Sequence, residues 1–144
     1  MFITDLAPDD PRIDVMLAVL VELRTELTPA SFAAIYREGW AQGLRFSAVF
    51  DRDEPDAACL GVAGWRILAS THAGRKLYVD DLVTTGGARS SGVGRALIAN
   101  LSERAKAAGC TVIDLDSGVQ RYDAHRFYLR ERFAITSHHF AKQL

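Results

Sequence analysis

The chain has 144 residues, 49% apolar and 24% charged, with 17 basic side chains against 18 acidic ones and a formal charge of −1. That length suits one domain over residues 1–144 with one sizeable core, and the composition is that of an ordinary soluble globular protein. The charge balance argues against a nucleic-acid or anionic-membrane partner, and no apolar run reaches the ~20 residues of a membrane span. Residues 1–10 lack the basic and apolar regions of a signal peptide. Cys59 and Cys110 sit in apolar contexts and read as free buried thiols rather than a disulfide, so the expected location is cytoplasmic.

Residues 2–6 predict a short strand, ended by Pro8-Asp9-Asp10-Pro11. From Ile13 the apolar residues fall at 13, 16, 17, 20, 23 and 27, a helical spacing that leaves Asp14, Glu22, Arg24 and Glu26 off the buried stripe. Thr28 reads as the N-cap and Pro29 as the first residue of a second helix carrying Phe32, Ile35, Tyr36 and Trp40. Residues 44–50 predict a strand and residues 58–68 its antiparallel partner, in which Gly61 and Gly64 mark a bulge or a close approach. A strand over 77–84, a helix over 93–108 capped by Gly109, and a strand over 111–115 make a strand–helix–strand unit with a right-handed crossover. A helix over 123–130 and a last strand over 133–140 complete the chain, and a homodimer through that last strand stays open. The fold class is α/β (α+β), a mixed, mostly antiparallel sheet flanked by helices.

Residues 78–95 carry the densest signal. A strand feeds a Gly/Ser loop that opens a helix, and the first helical N–H groups there have no intrahelical partner while the macrodipole adds about half a positive charge. Arg89 and Arg95 place permanent cations at this anion cradle. Neither the lysine-bearing phosphate loop nor the dinucleotide Gly-x-Gly-x-x-Gly is present. What stands there is Arg-x-x-Gly-x-Gly, as Arg89-Ser90-Ser91-Gly92-Val93-Gly94, between Asp80-Asp81-Leu82-Val83 and Ala96-Leu97-Ile98.

That combination resembles the pyrophosphate loop of the GCN5-related N-acetyltransferases (GNAT), which bind acetyl-coenzyme A. The predicted order β-α-α-β-β-β-α-β-α-β is also that of the family. The resemblance implies that Arg89, Ser90, Ser91, Gly92, Val93, Gly94 and Arg95 hold the pyrophosphate. It implies as well that the backbone of Leu82, Val83 and Thr84 pairs with the pantetheine arm like another strand.

N-acetyl transfer needs a base, because a lysine-like amine of pKa about 10.4 is almost wholly protonated near neutral pH. Asp80 and Asp81 are the candidates. As neighbours in a strand they should point to opposite faces, so only one should meet a given cleft. Their alternative is plain ion pairing with Arg75 or Lys76, or capping of a neighbouring backbone group. The run Tyr78-Val79-Asp80-Asp81-Leu82 resembles the acidic strand of polyamine-type members, and by that resemblance Asp80 matches the base. Ala124-His125-Arg126-Phe127-Tyr128 resembles the family's Ala-x-x-Phe-Tyr helix, which makes Tyr128 the proposed acid for the departing thiolate.

The match has departures: Arg121 where many relatives have asparagine, Arg132-Phe133 for Gly-Phe, and Arg-Ser-Ser for Arg-Gly-x in the loop. His125 lies three residues from Tyr128, and no Cys/His/Asp spacing resembles a metal site. Trp40, Trp65 and Tyr36 are candidates for lining an acceptor pocket, although helix and strand aromatics are usually core. The implied function is direct transfer from acetyl-CoA, without a metal, to a small-molecule amine or a peptide or protein amine. Neither cysteine stands in the cradle or beside Tyr128. The rival readings are a non-catalytic acyl-CoA sensor or interaction domain and, more remotely, an ATP-binding module.

Overall fold

Strand formation follows the β-branched and aromatic residues. Phe46, Val49 and Phe50 in β2 (Arg45–Phe50), Val62, Trp65 and Ile67 in β3 (Cys59–Ser70), and Val79 and Val83 in β4 (Gly74–Thr84) build an antiparallel meander. β1 (Phe2–Leu6) pairs antiparallel with β2, and β5 (Val112–Leu115) lies beyond β4, so the five strands stand in chain order. The helices are α1 (Ile13–Leu20), α2 (Pro29–Ala41), α3 (Val93–Ala107) and α4 (Tyr122–Arg130). The computed structural model describes all of residues 1–144, which divide into two units, Met1–Asp114 and Leu115–Leu144.

In the first unit both faces of the sheet are covered. Phe46, Ala48, Phe50, Val62 and Val83 form one core with Met16, Leu17 and Leu20 of α1 and Phe32 and Tyr36 of α2. Val49, Ala63 and Trp65 point to the other face with their partners Val79 and Leu82, and on that side α3 supplies Val93, Leu97 and Leu101. The approach of α3 is close: a Cβ at Gly61 would lie 2.6 Å from Val93 Cγ1. Gly109 takes the expected left-handed conformation after α3, and the expected capping box at Thr28 forms with Ser31.

The first helix differs from its predicted length. Its apolar spacing runs to Leu27, yet α1 stops at Leu20 and the chain continues in tight turns, Glu22 N–H to Val19 C=O and Leu23 N–H to Leu20 C=O. These turns keep Leu23 and Leu27 against the core. They also deliver Glu22 and Arg24 to partners on and just after β4, which a straight helix would not do.

In the second unit, α4 buries Tyr128 between the rings of Phe127 and Phe133, with centroids 5.4 and 5.7 Å away. The strand predicted over 133–140 does not form. That segment has no ladder partner, and Ile135 and Phe140 are 79% and 91% exposed, so its alternating pattern buries nothing to hold it extended.

Two non-glycine residues have positive φ, Ser90 at 64° and Arg132 at 67°. Both stand where the family resemblance expects glycine. A left-handed L-residue costs about 1–2 kcal/mol, and glycine's extra unfolded-state freedom returns about 0.5–1 kcal/mol of that. Ser90→Gly and Arg132→Gly should therefore each raise the melting temperature by a few degrees, and Ser90→Ala should not. A lower melting temperature for both glycine variants would show that neither position is strained.

Candidate active site

The site begins with a mismatch in strand length. β3 pairs with β4 as Gly64 opposite Asp81 but Trp65 opposite Val79, so Asp80 is one residue too many. This is a β-bulge, and it breaks the alternation of side chains along β4. Asp80 and Asp81 accordingly line the same cleft, on the face covered by α1 and α2, rather than pointing to opposite faces as expected. The cleft has a volume of about 700 Å³, in the range of small-molecule sites. Its walls are Leu23, Leu27, Phe32, Ile35, Leu44 and Phe46, and its charged groups are Arg24, Glu26, Arg66 and the two aspartates.

Each aspartate has its own arginine. Arg66 donates from Nε and Nη2 to the two oxygens of Asp80, at 2.9 and 3.1 Å. Arg24 donates from Nε to Asp81 Oδ1 at 2.6 Å and from Nη2 to the Asp80 carbonyl at 3.0 Å. Arg75 and Lys76 are engaged elsewhere, with the Ala108 carbonyl and with Asp114. Burial raises the pKa of Asp81, whose side chain is only 13% exposed. The Arg24 guanidinium offsets part of the rise, and the Asp80 charge adds to it.

Gly64 makes room for this carboxylate. A Cβ there would stand 2.8 Å from Phe46 Cε1 and 2.9 Å from Asp81 Oδ2.

Past the aspartates, Leu82, Val83 and Thr84 pair with Ala63, Val62 and Gly61 on one edge. On the other side, the chain leading into β5 joins β4 at Arg75, where Thr111 N–H donates to the carbonyl, and β5 is only four residues long. It therefore stops short of Leu82–Thr84.

The loop then makes one 3₁₀ turn over Gly86–Ala88. Ser91 Oγ donates to the Ala88 carbonyl, and Gly92 caps α3 at φ 88°. Val93, Gly94 and Arg95 follow as the first helical residues, at the positive end of the helix dipole. Arg89 and Arg95 are exposed, and a Cβ built at Gly87 or Gly92 would meet nothing within 4 Å. Open backbone, helix-end donors and two guanidinium-bearing residues suit a diphosphate.

Tyr128 lies in the second unit. Burial raises its phenol pKa, with Arg121 acting in the opposite sense. Beside it, His125 Nε2 donates to the Gly118 carbonyl at 2.7 Å, and Arg126 pairs with Asp123 on the surface.

The expected aromatic lining is displaced. Trp65 Nε1 donates to Ser47, the Tyr36 hydroxyl donates to the Leu6 carbonyl, and Trp40 lies under the Arg45 guanidinium; Phe32 and Phe46 line the cleft instead. Cys59 is buried, its thiol pushed up to about 11, while Cys110 is half-buried; both are free and neither lines the cleft. Sequence reasoning missed Arg66, Arg24 and Glu22. Arg66 was visible as a charge inside an apolar strand. The other two carried no signal, because their roles depend on α1 ending early.

A profile of the acetyltransferase (GNAT) family matches residues 16–133, across both units. The chain belongs to that family. This GNAT protein is 35% identical to an uncharacterized N-acetyltransferase of Bacillus subtilis (strain 168), over 86% of each chain. It is 36% identical to the aminoalkylphosphonate N-acetyltransferase of Salmonella typhimurium, over 46% of this chain and 43% of that one. Among solved structures, an acetyltransferase of Trypanosoma brucei superposes with a TM-score of 0.80 at 22% identity, covering 99% of each chain. The protein is thus an N-acetyltransferase of the GNAT fold, and none of its helices is long and apolar enough to cross a membrane.

Because Gly64 borders both Phe46 and Asp81, Gly64→Ala should displace the carboxylate. We expect acetyl-transfer turnover to fall at least about tenfold, with a stability loss of about 1–3 kcal/mol from overpacking. Full turnover in a folded Gly64→Ala protein would show that the Asp81 position is immaterial.

Proposed function

We propose that residues 1–144 form one domain that moves the acetyl group of acetyl-CoA to a primary amine bound in the cleft of Asp80 and Asp81. The observation that carries the proposal is the bulge: it turns two neighbouring carboxylates to one cleft, on the same strand that runs into the anion loop. The aminoalkylphosphonate relative supports an amine acceptor.

In this reading Arg89 to Arg95 hold the pyrophosphate of the coenzyme, whose thioester is the acetyl donor. The backbone edge of Leu82, Val83 and Thr84 aligns the pantetheine arm, each hydrogen bond adding only ~1 kcal/mol net. Transfer joins the acceptor nitrogen to the acetyl carbon and breaks the carbon–sulfur bond. One proton leaves the nitrogen and one goes to the sulfur. Asp81 takes the first, directly or through water, because burial makes it a better base than an exposed aspartate. Asp80, clamped by Arg66, orients the incoming ammonium. Tyr128 is assigned the second proton on the family resemblance; its raised pKa keeps the phenol protonated at neutral pH.

Coenzyme release in the presence of amines tests this reading. Asp81→Asn should lower kcat by about 10²–10⁴ while the Kd for acetyl-CoA changes little. Tyr128→Phe should also lower kcat at constant acetyl-CoA affinity. Unchanged turnover in both variants would remove these assignments.

The pH dependence has a defined sign. Activity should fall as pH drops through the raised pKa of Asp81, above the ~3.9 of an unperturbed aspartate. Arg24 lowers that pKa, so Arg24→Gln should move this limb to higher pH, and an unmoved limb would exclude Asp81 as the base.

Stability follows the same group. A folded-state pKa above the unfolded value means that the folded state holds the proton more tightly. The resulting stabilisation is full below the unfolded pKa and is lost as pH rises through the folded one. Ionised Asp81 is therefore a cost at neutral pH, and Asp81→Asn should melt no lower than the parent protein there.

A further inference from the structure

Both cleft aspartates already hold an arginine, so the floor of the cleft is two ion pairs rather than two free negative charges, with Glu26 exposed at the rim. The two pairs differ. Arg66 is 22% exposed and spends both donors on the Asp80 carboxylate. Arg24 is 52% exposed, comes from the turns after α1, and holds Asp81 through Nε alone. Its Nη2 rests on a backbone carbonyl, and its Nη1 makes no hydrogen bond. The Arg24–Asp81 pair is the one that can open.

An amine entering there takes the place of Arg24 on Asp81 and leaves the guanidinium without its anion. A molecule carrying both an ammonium and an acid group restores both contacts, ammonium to Asp81 and acid to Arg24, with no charge left unmatched. The planar guanidinium fork suits carboxylate and phosphonate alike. The same cleft is lined by Phe32, Ile35 and Leu44, which offer apolar surface to the rest of the molecule.

The geometry points to a small zwitterionic acceptor, a primary amine with an anionic acid group a few bonds away and an apolar side group, with Arg24 as the residue that selects for the acid. Polyamines and protein lysines lack that acid. This inference rests on the amine-acetyltransferase reading and narrows its acceptor.

The test measures coenzyme release by the full-length protein with acetyl-CoA and five matched probes. These are L-leucine, its 1-aminoalkylphosphonate analogue, leucinamide, isopentylamine and spermidine. The expected result is that kcat/KM for the carboxylate or the phosphonate exceeds that for leucinamide and isopentylamine by about 10–100-fold. The first two probes show which acid is preferred. Arg24→Gln should shrink this ratio about tenfold or more, chiefly through KM for the acid-bearing probe, and Arg24→Lys should restore part of it.

Preference for isopentylamine, leucinamide or spermidine would overturn the zwitterion inference and leave the amine-acetyltransferase reading standing. An acid preference that survives intact in Arg24→Gln would overturn the role of Arg24. Coenzyme release with none of the five probes would overturn the inference. Extending the assay to peptide N-termini and lysines then decides whether the broader reading falls with it.

Discussion

The single extra residue in β4 governs the rest of the site. In a regular antiparallel pair continued back from Val83, Asp80 and Asp81 would fall on opposite faces, Asp81 on the face of Val83 and Asp80 in the apolar layer beneath α3. The bulge at Asp80 turns both carboxylates toward α1 and α2 while Val79 and Leu82 keep their places on the α3 face. Gly64 is the complementary half of this arrangement, since any side chain there would collide with Phe46 and Asp81. The strand thus carries two adjacent aspartates on one face, each with a guanidinium as its partner.

The turns between α1 and α2 form the second organising element. Glu22 accepts hydrogen bonds from the Thr85 hydroxyl and the Gly86 N–H, 2.9 and 3.1 Å away, and Arg24 reaches Asp81 two residues later. One short segment therefore touches both the start of the loop after β4 and the carboxylate pair. The consequence of these contacts is positional, because they set where Arg24 and the loop's first residue stand.

Much of this was legible in the residues. The strand-to-loop-to-helix run through Arg89-Ser90-Ser91-Gly92 announced the family; Thr28 and Gly109 read correctly as cap and helix end, and Gly61 and Gly64, read as marking a bulge or a close approach, both stand at close approaches, with a register shift beside Gly64. Two readings failed for reasons that lie in tertiary structure. Period-two reasoning put Asp80 and Asp81 on opposite faces, and a bulge is invisible to periodicity unless its partner glycine is weighed with it. The apolar spacing of 13–27 suggested one helix, while contacts of Glu22 and Arg24 with β4 and the loop reward tighter turns after Leu20. The alternation in 133–140 had no partner strand to make it count. Ser90 and Arg132, in turn, show that departures from an expected glycine can keep the backbone conformation and take the strain.

The central claim is that Asp81, which shares the cleft with the bulged Asp80, is held in a buried position where desolvation outweighs the pull of Arg24. A ¹³C-detected NMR titration of the Asp81 carboxyl in the full-length protein tests it most directly. The account predicts a midpoint above the ~3.9 of an unperturbed aspartate, rising further in Arg24→Gln. A midpoint at or below that value would contradict it, because Asp81 would then be a solvated or fully compensated carboxylate with no special basicity.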